Sequence, residues 1–152
     1  MITINRSSFF CLVVLVLLLV PPFVSAQESK GAWILGPWEG KHSGPRTLDD
    51  ATRFEFAAKG DVIHWKMNRK GQILVPAAGG LASKNGEWEA SGIVKQISDT
   101  TVTLEGTYDS SSIAAVVGRG LSYELSGNTS SLSGYLYGAN NRSLSISLQR
   151  VK

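Results

Sequence analysis

Cysteine is almost missing from this sequence, and its scarcity excludes several kinds of protein. The single cysteine, Cys11, lies in an apolar run near the N-terminus, so residues 27–152 contain no thiol. A disulfide framework and thiol catalysis are therefore excluded for that part of the chain. A domain of this length has to be held together by its apolar core and its backbone hydrogen bonds.

Motifs of common enzymes are also absent. The sequence has no G-x-S-x-G, no H-E-x-x-H and no glycine-rich phosphate loop leading into a helix. His42 and His64 are expected on opposite faces of two different strands, so we expect no zinc site. Glu87 and Glu89 are expected on the exposed face of a strand. Carboxylates there lack the burial that shifts the pKa of one member of a catalytic pair. We therefore expect no enzyme activity, no cofactor and no metal.

A strong charge of one sign is missing as well. The chain carries 15 basic and 12 acidic residues, a net charge of +3 at pH 7. Lys66, Arg69 and Lys70 form the densest basic group, which we interpret as a solvated hairpin tip rather than a phosphate-binding patch. The composition predicts no nucleic-acid partner.

The N-terminal residues 1–26 have the pattern of a secretory signal peptide. Arg6 precedes the apolar run Phe9–Val20, and Val24-Ser25-Ala26 forms a small-x-small cleavage site. The run is shorter than the roughly 20 residues that a membrane span needs, although an uncleaved anchor is the alternative. We expect a secreted or periplasmic protein, of bacterial type, with no stable membrane anchor after cleavage.

Residues 27–152 are expected to form one β-barrel domain. Apolar residues alternate with polar ones, and short turns of hairpin type separate the alternating segments. The pattern predicts an all-β fold with about eight strands in an antiparallel up-and-down meander, closed into a barrel. A two-sheet sandwich is the alternative. Two stretches, 71–86 and 109–120, are expected as long connections that either carry function or cover a barrel end.

The first and last strands carry a tryptophan and an arginine on their inner faces. If the barrel closes, Trp38 and Arg150 become neighbours and gain a cation–π contact of roughly 0.5–2 kcal/mol. Gly36-Pro37-Trp38 together with Arg150 resembles the structural signature of the calycin superfamily, which includes lipocalins and avidin-like barrels. The resemblance implies that Trp38 and Arg150 form a structural plug. No ligand contact of that superfamily maps onto matching positions here.

Inward-facing aromatic and polar side chains are the candidate ligand contacts. The strand parity points Trp65, Tyr108, Tyr123 and His42 inward, where they are either core filler or contacts to a small apolar or amphipathic ligand. Their inward placement favours a barrel that binds such a ligand in its interior, and the resemblance implies that this barrel is calycin-like.

Outward-facing tyrosines suggest a different class of function. Tyr135 and Tyr137 form either a protein-contact patch or a cross-strand pair on the penultimate strand. The alternative function is therefore a protein-interaction or inhibitor module of the bacterial envelope, without ligand or catalysis. An enzyme at the barrel mouth would need converging titratable groups, which the pattern does not supply.

Overall fold

A computed structural model describes residues 31–44, 47–138 and 143–152. The predicted signal peptide, residues 1–26, lies outside these ranges. Within them, no helix has the length and apolar character needed to cross a membrane.

The described residues form eight antiparallel strands that close into a barrel in chain order. The strands are β1 Gly36–Gly44, β2 Thr47–Lys59, β3 Val62–Ala77, β4 Gly80–Ile97, β5 Thr101–Ser111, β6 Gly120–Gly127, β7 Ser131–Gly138 and β8 Ser143–Arg150. Single 3₁₀ turns span Ala32–Ile34, before β1, and Ala114–Val116, between β5 and β6. The predicted all-β, eight-stranded up-and-down barrel is confirmed.

Alternation of side chains builds the core. In β2, Phe54 and Phe56 are buried while Glu55 between them is exposed, as the two-residue period of a strand requires. The same alternation runs through the other strands and fills the interior. The fully buried large side chains include Trp38, Trp65, Tyr123, Phe54, Phe56, Leu104, Leu125, Leu132 and Leu148.

The meander gives the barrel two distinct ends. The turns β2–β3, β4–β5 and β6–β7 lie at the end where β1 begins, which we call the plugged end. The last residues of β1, β3, β5 and β7 and the first residues of β2, β4, β6 and β8 lie at the other, distal end. Side chains at the start of β1 therefore lie near the plugged end, and side chains at the end of β1 lie near the distal end.

Trp38 and Arg150 build the plug together with the 3₁₀ turn that precedes β1. Trp38 is fully buried and donates from Nε1 to the carbonyl of Ile34 at 2.8 Å. The Arg150 guanidinium carbon lies 4.5 Å from the Trp38 ring centroid. Its nitrogens donate to the carbonyls of Trp33 and Leu35. The expected contact between Trp38 and Arg150 is present, and three carbonyls of the preceding turn are satisfied by these two side chains.

The expectation of a long loop over residues 71–86 was wrong. These residues continue β3 and β4 as a paired ladder from Gly71–Gly86 to Ala77–Gly80, closed by a tight turn. Gly79 and Gly80 have φ values of 97° and 141°, which only glycine adopts readily. The small residues of this stretch therefore lie in a hairpin that extends β3 and β4. The stretch 109–120 begins within β5 and contains the second 3₁₀ turn.

The plug yields a stability prediction. Arg150→Ala removes the cation–π contact and leaves the carbonyls of Trp33 and Leu35 without their donors, so we expect a loss of about 2–4 kcal/mol in the free energy of unfolding. Arg53→Ala is the matched control, because Arg53 only forms an exposed ion pair with Glu39 at 2.8 Å. We expect this control to lose less than about 1 kcal/mol. Urea unfolding followed by tryptophan fluorescence measures both, and equal losses would contradict the role of the plug.

Candidate functional site

Aromatic rings fill the middle of the barrel. The rings of Phe54 and Tyr123 meet edge-on with centroids 5.2 Å apart, and Trp65 and Tyr123 meet in the same way at 5.8 Å. Trp65 donates from Nε1 to the carbonyls of Ile93 and Glu105 at 3.1 and 3.2 Å. Trp65 therefore has its polar atom satisfied by the barrel wall and packs as core.

His42 and Tyr123 meet above these rings, on the distal side. Both are fully buried, and His42 Nε2 lies 3.2 Å from the Tyr123 hydroxyl oxygen. Burial, and secondarily the positive charge of Arg69, lowers the pKa of His42 from its ordinary value of 6.5 to about 3. Burial, and then the neighbouring Tyr108, raises the pKa of Tyr123 well above 10.0. At neutral pH the ring of His42 is uncharged and Tyr123 keeps its proton.

A buried ion pair lies beside His42. Arg69 donates from Nε to Asp50 Oδ2 at 2.8 Å, and Arg69 Nη2 lies 2.7 Å from the same oxygen. The side chains of Arg69 and Asp50 are 5% and 0% exposed, so water does not screen the pair. His42 and Asp50 are direct cross-strand partners of β1 and β2.

The interpretation of Lys66, Arg69 and Lys70 as a solvated hairpin tip was therefore wrong. All three lie within β3, far from its turns, and strand alternation separates them onto two faces. Arg69 faces the interior, whereas Lys66 and Lys70 are exposed and Lys70 pairs with Glu87 at 3.0 Å. The three residues are close in sequence, but odd and even positions of a strand face opposite sides of the sheet, so Arg69 is separated from the two lysines.

The Trp88 ring stacks against the Arg69 guanidinium, which binds Asp50 through its nitrogens. The guanidinium carbon lies 4.2 Å from the Trp88 ring centroid, and Trp88 is buried. Gly71 and Gly86, cross-strand partners of β3 and β4, make room for this stack. A Cβ at Gly71 would overlap Asp50 Oδ1, and a Cβ at Gly86 would overlap the Trp88 ring. The two glycines are needed for close approach and not for a turn.

These side chains form one group, which we call the distal cluster: His42, Asp50, Arg69, Trp88 and Tyr123. Two of its buried polar atoms, His42 Nδ1 and Asp50 Oδ1, have no hydrogen-bond partner among the described residues. An unpaired buried polar atom costs about 1–3 kcal/mol, so a native structure rarely keeps two together. These two atoms are therefore the candidate hydrogen-bonding positions of the distal cluster.

Inner-face side chains become less buried on the distal side of the cluster. Tyr108 and Leu144 are half-buried, and so are Ile73 and Val75, which continue the inner face of β3 into the long hairpin. Burial raises the pKa of Tyr108 above 10.0, an effect that Arg69 partly offsets. These four side chains offer apolar contact area next to a polar, fully buried cluster.

The outer wall carries the remaining candidates. Tyr135 is 52% exposed, whereas the Tyr137 hydroxyl donates to Glu124 Oε2 at 3.4 Å. Three clefts of about 320, 260 and 520 Å³ lie on the outer surface of β1–β5. They are lined mainly by outward-facing polar side chains, among them Arg53, Glu55 and Lys66. Within the described ranges, no three His, Cys, Asp or Glu side chains are grouped to hold a metal ion.

Comparison with known proteins gives the fold and no family. No family model and no curated protein matches the chain. A solved structure of a redesigned β-barrel, b11L5F_LGL, is 12% identical and superposes with a TM-score of 0.56 over 82% of this chain and 96% of its own. A second redesigned barrel, mFAP1 bound to DFHBI, is 13% identical, with a TM-score of 0.51 over 80% of this chain and 99% of its own. This chain is thus an eight-stranded antiparallel β-barrel that resembles redesigned barrels, one of which binds a small molecule.

Sequence reasoning missed Asp50, Arg69 and the two packing glycines. The signal for Arg69 was available, because Arg69 shares the parity of Trp65 and Met67 on β3. Asp50 likewise shares the parity of the buried residues that follow it in β2. An acid and a base on inward positions of adjacent strands predict a buried pair, since neither is stable alone inside a core.

The close approach at Gly71 gives a second prediction. Gly71→Ala would force the Asp50 carboxylate away from Arg69, and we expect a loss of about 1–3 kcal/mol in the free energy of unfolding. Gly138→Ala is the control, because no atom of the described residues lies within 4 Å of a Cβ placed there. Chemical denaturation of both variants measures the effect. Equal stability of the two variants would mean that Gly71 does not hold the ion pair in place.

The buried histidine gives a third prediction, on pH. The folded pKa of His42, about 3, lies below the ordinary value of 6.5, so the unfolded chain binds the extra proton in this interval. The contribution of the neutral His42 ring to the free energy of unfolding is therefore fully present above pH 6.5. It is lost as the pH decreases towards 3, by on the order of 4 kcal/mol. His42→Gln should flatten this slope, and His64→Gln, on the outer face, should keep it. Denaturant titrations from pH 4 to 7 test both, and an unchanged slope in His42→Gln would refute the assignment.

Proposed function

We propose that this protein binds a small amphipathic ligand at the distal end of its barrel, with the polar part of the ligand against the distal cluster. The observation that carries the proposal is the pair of buried, unpartnered polar atoms, His42 Nδ1 and Asp50 Oδ1. A ligand that bonds to these atoms removes the cost of leaving them unpaired. Neither atom has a partner in the described residues that would make a ligand unnecessary.

The filled middle of the barrel limits how deep the ligand sits. Trp65 and Tyr123 pack against Phe54, so Trp65 serves as the floor of the site and does not touch the ligand. His42 and the Tyr123 hydroxyl form the polar base, and Tyr108 and Trp88 lie on the sides. The apolar part of the ligand then contacts the half-buried inner-face residues on the distal side, which include Ile73 and Val75.

The Asp50–Arg69 pair supports a functional role for the cluster. Burying an ion pair costs desolvation energy that apolar side chains of similar size avoid, so such a pair adds little to stability. A barrel selected for stability alone would have an apolar layer at this level. We infer that the pair fixes the orientation of the Asp50 carboxylate, which leaves Oδ1 directed at a ligand while Oδ2 binds Arg69.

The kind of protein proposed here is a carrier and not a catalyst. The Trp38–Arg150 plug agrees with a calycin-like relationship, which is part of this proposal. mFAP1, a barrel of the same fold, was solved with a bound small molecule. The pattern of residues 1–26 supports export to the periplasm or the exterior of a bacterial cell.

A second candidate function is protein interaction through the long β3–β4 hairpin. Leu74 and Leu81 on this hairpin are 41% and 67% exposed. Exposed leucines on a projecting hairpin are typical of contact surfaces, because apolar area there is otherwise unfavourable. A partner protein of the envelope would bind this hairpin, whereas the exposed Tyr135 on β7 lies four strands away from β3 and would form a separate contact.

Native mass spectrometry of the protein, exported through its own N-terminal segment and compared with its denatured mass, tests the proposed function. We expect a small-molecule mass that is lost on denaturation. The double variant Asp50→Leu/Arg69→Met should fold, because apolar replacement of a buried pair is often neutral, and should lose that mass. Leu81→Ser is the matched control and should keep it.

Two outcomes would contradict the proposal. A bare mass for the unaltered protein would remove the carrier function. A protein-sized adduct that Leu81→Ser abolishes and the double variant retains would favour the second candidate instead.

A further inference from the structure

We propose that the polar group held by the distal cluster is a neutral hydroxyl, which accepts a hydrogen bond from His42 Nδ1 and donates one to Asp50 Oδ1. The ligand class is therefore an alcohol with an apolar body. This inference rests on the proposed function and specifies the chemistry of the same site.

The contact between His42 and Tyr123 determines which ring nitrogen carries the proton. A neutral imidazole has one N–H donor and one acceptor nitrogen. If the Tyr123 hydroxyl donates to His42 Nε2, across the observed 3.2 Å, its proton is satisfied and Nδ1 carries the ring proton. The opposite arrangement would leave the Tyr123 proton without an acceptor in a fully buried position. The geometry therefore assigns the Nδ1–H form, which is a donor.

The second unpartnered atom is an acceptor. Asp50 Oδ2 takes both contacts from Arg69, whereas Oδ1 has no partner among the described residues and lies against Gly71. Asp50 is the acidic partner of the Arg69 guanidinium in this ion pair, and the oxygens of a carboxylate accept hydrogen bonds. Asp50 Oδ1 can therefore only accept a hydrogen bond.

A hydroxyl satisfies one donor and one acceptor at the same time. His42 and Asp50 are cross-strand partners on the inner face, and side chains in this relation start about 5 Å apart. One oxygen atom between them can accept from Nδ1–H and donate to Oδ1. A carboxylate can only accept, and an ammonium group can only donate, so each would leave one buried atom unpaired.

Charge leads to the same class of ligand. Asp50 and Arg69 neutralise each other, and His42 is uncharged at neutral pH because burial holds its pKa at about 3. The cluster therefore offers no net charge to a ligand ion. A buried ligand carboxylate would face Asp50, and a buried ligand ammonium would face Arg69, and either arrangement is costly inside a protein.

The experiment compares three probes of equal chain length: 1-octanol, octanoate and octylamine. Binding to the unaltered protein at pH 7 is measured by isothermal titration calorimetry, with the tryptophan fluorescence of the whole protein as an independent signal. We expect 1-octanol to bind at least tenfold more tightly than either charged probe.

Two variants of one residue separate the hydrogen bonds. His42→Asn places an amide N–H near the position of Nδ1, and His42→Gln reaches the position of Nε2 without replacing Nδ1. We expect His42→Asn to bind 1-octanol within about threefold of the unaltered protein, and His42→Gln to bind at least tenfold more weakly. Unfolding curves of both variants verify that they fold.

Each other outcome overturns the inference in a recognisable way. Octanoate or octylamine binding as tightly as 1-octanol would refute the hydroxyl class and leave the carrier function intact. Equal affinity of the two His42 variants would show that Nδ1 does not touch the ligand. No binding of any probe, together with a bare native mass, would refute both proposals, since the two unpartnered atoms would then hold only an ordered water.

Discussion

The pairing of β1 with β8 is the constraint on which the rest of this molecule depends. It runs from Trp38–Arg150 to Ser43–Ser145 and closes the sheet, so neither β1 nor β8 is an edge strand. Closure buries an inward side chain near each end of β1. Trp38 is part of the plug, and His42 is part of the distal cluster. An open sheet would leave the same polar atoms in water, where they would need no partner.

The distal cluster places a polar layer inside an otherwise apolar barrel. The aromatic rings below it are packed and satisfied, whereas the layer itself holds an ion pair, a neutral histidine and a stacked tryptophan. Gly71 and Gly86 bring the chains close enough for Asp50 and Trp88 to pack beside Arg69. The same arrangement that orients Asp50 leaves one of its oxygens, and one nitrogen of His42, without a partner. Structure and proposed function are therefore linked through unsatisfied hydrogen bonds and not through a large empty cavity.

The sequence predicted the fold well and the site only in part. Strand alternation and short turns are local signals, so the strands, the closure and the Trp38–Arg150 contact could be read from parity. His42 and Tyr123 were placed inside for the same reason. Asp50 and Arg69 were missed because burial of charge depends on a partner in a neighbouring strand, which a linear pattern does not display. Gly71 and Gly86 were placed at the two ends of a long connection because composition alone does not distinguish a glycine in a loop from one in a packed strand.

The protonation state of His42 decides whether the distal cluster can bind a hydroxyl, because the proposed site requires a neutral ring with its proton on Nδ1. Long-range ¹⁵N–¹H correlation spectra of the labelled protein report which nitrogen carries the proton. We predict a neutral Nδ1–H ring from pH 5 to 8, with a change in the Nδ1 resonance when 1-octanol is added. An Nε2–H ring, or a charged ring at pH 5, would contradict it.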